Sequence, residues 1–195
     1  MGYLLALRRQ TQKMVIDNAR LLTDFFFYFA FGSNLLTERI RVQIKGAQLE
    51  ECGVLKNFTV KFFDYGSRWK GAVASIEEQQ DEEVHGCVWR VPNSFAAELD
   101  LQESGYHRLS VPVKLYSTNE TITCRTYQYS NPTRELKAPS PHYKFGRVIV
   151  EGAKEHGLPD WYVRKLEAIE DNGYVGKVLL DLKAIEHLNQ SRDDY

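Results

Sequence analysis

Hydrophobic and polar positions alternate between two rhythms along this chain. Asp24–Phe31, DFFFYFAF, is aromatic and apolar, too short for a core helix and rich in residues that favour strands. Gly32-Ser33-Asn34 breaks it, and Leu35–Ile40 reads as the opening of a helix that Ser33 or Asn34 could cap. The middle is strand-like: Gln48–Phe63, Ala72–Ile76, Glu83–Arg90, Leu109–Tyr116 and Thr121–Tyr129, separated by polar turns. Between two of these runs Ser94–Gln102 reads as a short helix with Phe95, Leu99 and Ala96 on one face. The last third turns helical. Ser140-Pro141 offers a capping hydroxyl and a first-turn proline, and Phe145, Val148, Ile149, Gly152 and Ala153 keep helical spacing. Gly157 ends that helix. Pro159 starts another, with Trp161, Tyr162, Leu166 and Ile169 as its apolar positions. Strands flanked by helices without regular βαβ alternation predict an α+β fold.

This division sets the expected organisation: residues 1–24 as an N-terminal extension, 25–188 as one domain, and 189–195 as a polar tail. A length of 195 residues suits a single domain, and 43% hydrophobic residues suffice for a core. The net charge of −1 gives no electrostatic reason to expect nucleic acid or an anionic membrane as a partner. No run approaches the roughly 18 apolar residues of a membrane span. The N-terminal stretch has too short an apolar run, and no small-residue cleavage site, for a secretory signal. Cys52, Cys87 and Cys124 are odd in number and lack a CxxC pair, which fits reduced, packed thiols in a cytoplasmic protein.

Three places could carry chemistry. The Gly32 turn leaves unpaired N–H groups at a helix start, which suit a carboxylate or phosphate, although such turns are also commonly structural. No lysine follows at the spacing of a phosphate-binding loop. Glu98, Asp100 and Glu103 form an acidic cluster of the kind that usually lies on a solvated helix face. Glu103 stands apart, because it ends the short helix and could point into a cavity where burial would raise its pKa. Tyr106, Tyr127, Tyr129 and Tyr143 could line a pocket or simply bond to backbone. The histidines are scattered without metal-ligand spacing, so no metal site is expected, and no GxSxG elbow appears.

Tyr28-Phe29-Ala30-Phe31-Gly32-Ser33-Asn34-Leu35-Leu36-Thr37-Glu38-Arg39-Ile40 resembles the signature loop of the γ-glutamylcyclotransferase family, YFAYGSNLLTERI. Leu99–Glu103 resembles its LDxQE segment, Thr123–Tyr127 its TCRSY, Ala138–Tyr143 its PPSPxY and Gly152–Pro159 its GAKExGLP. The five segments are collinear between about residues 25 and 178. The resemblance implies a small mixed β-barrel with flanking helices, often a homodimer, needing no cofactor. It implies a γ-glutamyl substrate whose own α-amine attacks its γ-carbonyl, giving 5-oxoproline and a free amino acid, as in glutathione metabolism. By the same resemblance Glu103 is the catalytic acid/base. Tyr28, Phe29, Ala30, Phe31, Gly32, Ser33, Asn34, Tyr127 and Tyr143 are the substrate-binding residues.

The chain departs from the family pattern in three places. Phe31 replaces the usual loop tyrosine, Leu101 replaces an acid, and the stretch after Glu103 is short, so Tyr106 has no fixed counterpart. Cyclotransferases of the same fold that act on glutathione carry a loop like GYGSLIW, and those acting on γ-glutamylamines one like YGTLKxG. Ser33–Thr37 fits neither as well. A dimeric binding protein that retains the pocket without turnover is the remaining alternative.

Overall fold

A computed structural model describes residues 24–130, 132, 133, 137–139, 148–174, 176 and 178. The expected tail, the helix start at Ser140-Pro141, Tyr143, and all of the N-terminal extension except Asp24 lie outside the described residues.

Five strands close into a barrel: β1 (Phe25–Ala30), β2 (Gln48–Gly66), β3 (Gly71–Pro92), β4 (Tyr106–Leu115) and β5 (Thr121–Tyr129), in the order β1-β3-β2-β4-β5. Only the β1–β5 seam is parallel, with Tyr28 opposite Arg125. Closure removes the open edges that a flat sheet would expose. It agrees with the mixed barrel expected from sequence. Around the barrel lie α1 (Thr37–Gln43), α2 (Ala96–Gln102), α3 (Val148–Glu155) and α4 (Asp160–Glu167).

The two expected strands Ala72–Ile76 and Glu83–Arg90 are one strand. The polar stretch between them stays extended because β2 continues alongside it, pairing Phe58 with Glu78 and Thr59 with Glu77. A register shift between Lys56 and Phe58, with Asn57 and Asp81 both at positive φ, bends this hairpin arm where its side chains reach solvent. The polar residues therefore mark an exposed bulge and not a turn. Trp161 is likewise 44% exposed. Tyr162, Val163 and Leu166 are the buried positions of α4.

The core runs from the barrel interior outward to the helices. Phe29, Trp89, Ile76 and Val84 are fully buried within it, and Leu35, Ile40 and Leu99 join from the turn, α1 and α2. All three cysteines are buried and unlinked, with the sulfurs of Cys52 and Cys87 3.7 Å apart across paired strands.

One close approach fixes the segment after β1. A Cβ added to Gly152 on α3 would lie 2.5 Å from the Leu36 nitrogen and 2.6 Å from the Leu35 carbonyl carbon. The helix thus seats directly on the backbone of the turn that follows Gly32. Two residues beyond α3, Gly157 takes φ +64°, the left-handed conformation that ends a helix without a Cβ penalty. Alanine in a helix interior ordinarily gains about 1 kcal/mol over glycine. At residue 152 the collision is with backbone, and overpacking costs about 1–3 kcal/mol. Gly152→Ala should therefore lower stability in denaturant unfolding. Unchanged or higher stability would mean that the helix is not seated on the turn.

Candidate active site

β1 ends at Ala30, and the chain then turns through a single 3₁₀ turn, Ser33–Leu35, before α1 begins. Neither Ser33 nor Asn34 caps that helix. Leu36 occupies the N-cap and no side chain bonds the first turn from there. The donors are satisfied in other ways. Leu35 N–H donates to the Gly32 carbonyl at 3.0 Å, Leu36 N–H to the Ser33 carbonyl at 3.3 Å, and Thr37 N–H to Glu155 Oε2 at 3.1 Å. The turn's internal bonds begin with Leu35, so it does not consume the N–H groups of Gly32, Ser33 and Asn34.

Asn34 is free of capping duty because its side chain points inward, 3% exposed. Its Nδ2 donates to Glu103 Oε1 at 2.9 Å and to the Tyr28 hydroxyl oxygen at 3.1 Å. The Tyr28 hydroxyl in turn donates to Glu103 Oε1 at 3.2 Å. The carboxyl group of Glu103, just past α2, is thereby tied to β1 and to the turn. Gln102 secures the same cluster from the helix. Its side-chain nitrogen donates to Asn34 Oδ1 at 2.7 Å. Arg39, on α1, is a buried arginine whose charge acts on Glu103.

These surroundings set the acidity of Glu103. The residue keeps part of its surface toward a cavity, while the atoms packed around its carboxyl group exclude water. Desolvation pushes its pKa up to about 7. The charges of Arg39 and Arg68 and the bonds from Tyr28 and Asn34 oppose that rise. Burial and the adjacent carboxylate raise the Tyr28 phenol well above its ordinary value, so it remains a donor.

The carboxyl group faces a small pocket of about 30 Å³ lined by Tyr28, Phe31, Gly32, Ser33, Asn34 and Tyr127, together with Ala74 and Tyr106. A larger cavity of about 270 Å³ adjoins it and shares Ser33, Glu103 and Tyr106. Six of the residues expected to bind substrate therefore meet at Glu103. Phe29 and Ala30 do not line either space; they are fully buried at the end of β1. Tyr143 lies outside the described residues. Tyr127 contributes its ring, edge-on to Tyr28 at 5.8 Å, while its hydroxyl donates to Asp100 Oδ1 at 2.7 Å. Asp100 also draws Arg108 and Arg125, so this part of the acidic cluster is structural, and Glu98 is exposed.

Sequence reading names Tyr106 among the tyrosines that could line a pocket but gives no sign of Arg39 or Arg68 in the site. Arg39 sits inside the signature loop, but helical spacing gives no sign that an arginine there is buried. Arg68 lies in the β2–β3 turn, where no periodicity applies. Tyr106 places its hydroxyl on the Ala74 carbonyl at 2.8 Å and so spans the mouth between the two spaces. Among the described residues no cluster of histidine, cysteine or acid could hold a metal ion, and no helix is long and apolar enough to cross a membrane.

Asn34 stabilises the charged form of Glu103, so removing its amide should raise that pKa further. Asn34→Ala is expected to move the Glu103 midpoint above about 7 in an NMR titration of its carboxyl carbon. A midpoint that stays put or falls would show that the amide does not act on the carboxylate.

Comparison with known proteins bears on the same arrangement. The AIG2-like family matches residues 83–166, from within β3 into α4. The gamma-glutamylcyclotransferase of Bos taurus is 42% identical over 169 residues, covering 83% of this chain and 88% of its own. That of Mus musculus is 40% identical over 176 residues, covering 87% and 92%. A solved structure of a gamma-glutamyl cyclotransferase superposes with a TM-score of 0.77 at 38% identity, covering 85% of this chain and 98% of that one. Likeness at this level over nearly the whole of both chains, on the same closed barrel, means that the chain belongs to the γ-glutamylcyclotransferase family.

Proposed function

We propose that this chain cyclises γ-glutamyl amino acids, releasing 5-oxoproline and a free amino acid, with Glu103 moving the proton. The observation that carries the reading is the Glu103 carboxyl group: held by Tyr28 and Asn34, facing a pocket walled by the Gly32 turn, with a pKa of about 7. Family membership at about 40% identity supports the reaction class.

Nucleophile and electrophile belong to one molecule, so the protein's first task is to fold the glutamyl chain so that its α-nitrogen reaches its own γ-carbonyl. The α-ammonium must lose a proton to attack, and the departing amine must gain one. A carboxyl group with a pKa near neutrality is suited to both transfers, since it is neither too weak a base nor too weak an acid. As the carboxylate, Glu103 takes the α-ammonium proton. The amine then bonds to the γ-carbon, and as the acid Glu103 returns a proton to the nitrogen that leaves when the C–N bond breaks. The N–H groups of Gly32, Ser33 and Asn34, which the turn leaves unused, supply donors for the α-carboxylate or for the developing oxyanion. Phe31 gives the pocket an apolar wall where the family loop has a hydroxyl. The mechanism calls on no cofactor. The three unlinked cysteines support a cytoplasmic setting.

A positioned acid/base contributes about 10²–10⁴-fold. Glu103→Gln keeps the size of the side chain and should retain the fold, checked by circular dichroism, while losing turnover by about that factor. The assay is 5-oxoproline release from γ-glutamyl-alanine, glutathione and γ-glutamyl-lysine side by side, with γ-glutamyl-alanine expected to be the best substrate. Near-wild-type release by the glutamine variant would remove Glu103 from the mechanism. Release from none of the three, with binding intact, would favour a binding protein.

A further inference from the structure

Glu103 stands on the partition between the two spaces, and their walls differ. No residue lining the inner pocket is exposed. The outer cavity opens between the β2–β3 turn and the end of α2, where Ser67, Arg68, Leu101 and Ser104 are all exposed. The cyclisation proposed above requires two nitrogens to come within reach of one carboxyl group, the attacking α-amine and the leaving amine. A substrate satisfies this by lying across the partition. Its ring-forming glutamyl half belongs in the inner pocket, beside the N–H groups that the turn does not use. The half that differs between substrates belongs on the outer side, from which it can depart to solvent.

The outer side carries a cation suited to that half. The turn bearing Arg68 is held by the Trp69 and Lys70 N–H groups, both donating to the Gly66 carbonyl, at 3.2 and 2.9 Å. Among the described residues no hydrogen bond or ion pair engages the Arg68 side chain. Its charge is nonetheless felt at Glu103. Arg39, by contrast, is buried. Glu103 is the one acid among the described residues lining the cavity, which Leu101, 76% exposed, also lines. An arginine with no partner among the described residues, lining the same cavity as the proton-transfer group, fits an α-carboxylate one carbon from the departing nitrogen.

We propose that Arg68, on the outer cavity, is the residue that binds the free carboxylate of the leaving amino acid. The inference rests on the cyclotransferase reading.

The test compares γ-glutamyl-alanine with γ-glutamyl-alaninamide, which has the same shape without the charge, on the wild type, Arg68→Gln and Arg68→Lys. Assays run at about pH 8.5, where Glu103 is ionised and loss of the neighbouring charge cannot act through its titration. The wild type should prefer the free carboxylate by about tenfold in kcat/KM, carried mainly in KM. Arg68→Gln should bring the ratio towards one, and Arg68→Lys should restore part of it. An unaltered ratio in Arg68→Gln overturns the inference and leaves the reaction class standing. An equal loss on both substrates also overturns it, since Arg68 would then serve the glutamyl carboxylate that both share. No 5-oxoproline from either substrate in the wild type overturns the cyclotransferase reading and the inference with it.

Discussion

Everything around this site answers to one constraint, the cost of keeping the Glu103 carboxyl group away from water. Desolvation favours the protonated form, and a proton held too firmly could not be exchanged with substrate. Two arginine charges and two hydrogen bonds draw it back to about 7. Strengthening them would yield an ordinary carboxylate, a weak base, and weakening them would yield a permanent acid. The contributors to this balance come from separate parts of the chain. Tyr28 is on β1, Asn34 on the turn, Arg39 on α1, Arg68 on the β2–β3 turn, and Glu103 follows α2.

Barrel closure is what brings those segments together. β1 is held on both sides, by β3 along its length and by β5 at the parallel seam, where Thr126 Oγ1 donates to the Phe29 carbonyl at 2.9 Å. Phe29 and Ala30 therefore serve the site from within the core, by fixing where the strand ends and the turn begins. From outside, α3 closes on the turn through Gly152 and through Glu155, whose carboxylate accepts the Thr37 N–H. A turn gripped from both faces presents its N–H groups in one fixed arrangement. That preorganisation suits a reaction limited by folding a flexible substrate.

Much of this was legible in the sequence, and the gaps have physical causes. β5 was read with its observed bounds, and the middle strands to within a few residues, because alternation reports a half-buried strand directly. β3 was split in two because an exposed strand segment such as Glu77–Glu82 carries the composition of a turn. Helix capping at Ser33 or Asn34 was a sound local expectation that tertiary structure overrode. The Asn34 amide bonds Glu103 and Tyr28 instead of the helix start. Glu103 and the turn were weak signals as patterns and became one site only through the collinear resemblance. Arg39 and Arg68 stay invisible, since no local rhythm tells which arginine faces a buried acid 64 or 35 residues away.

The most direct measurement of the central claim is the pH dependence of kcat/KM for γ-glutamyl-alanine in the wild-type protein. If the free enzyme's Glu103 must be ionised to accept the α-ammonium proton, the profile falls on the acid side with an apparent pKa of about 7. Glu103→Gln should lack that limb in whatever activity it retains. An acid limb at the ordinary carboxylate value near 4.5, or a limb at 7 that persists in the glutamine variant, would contradict the assignment of the proton-transfer step to Glu103.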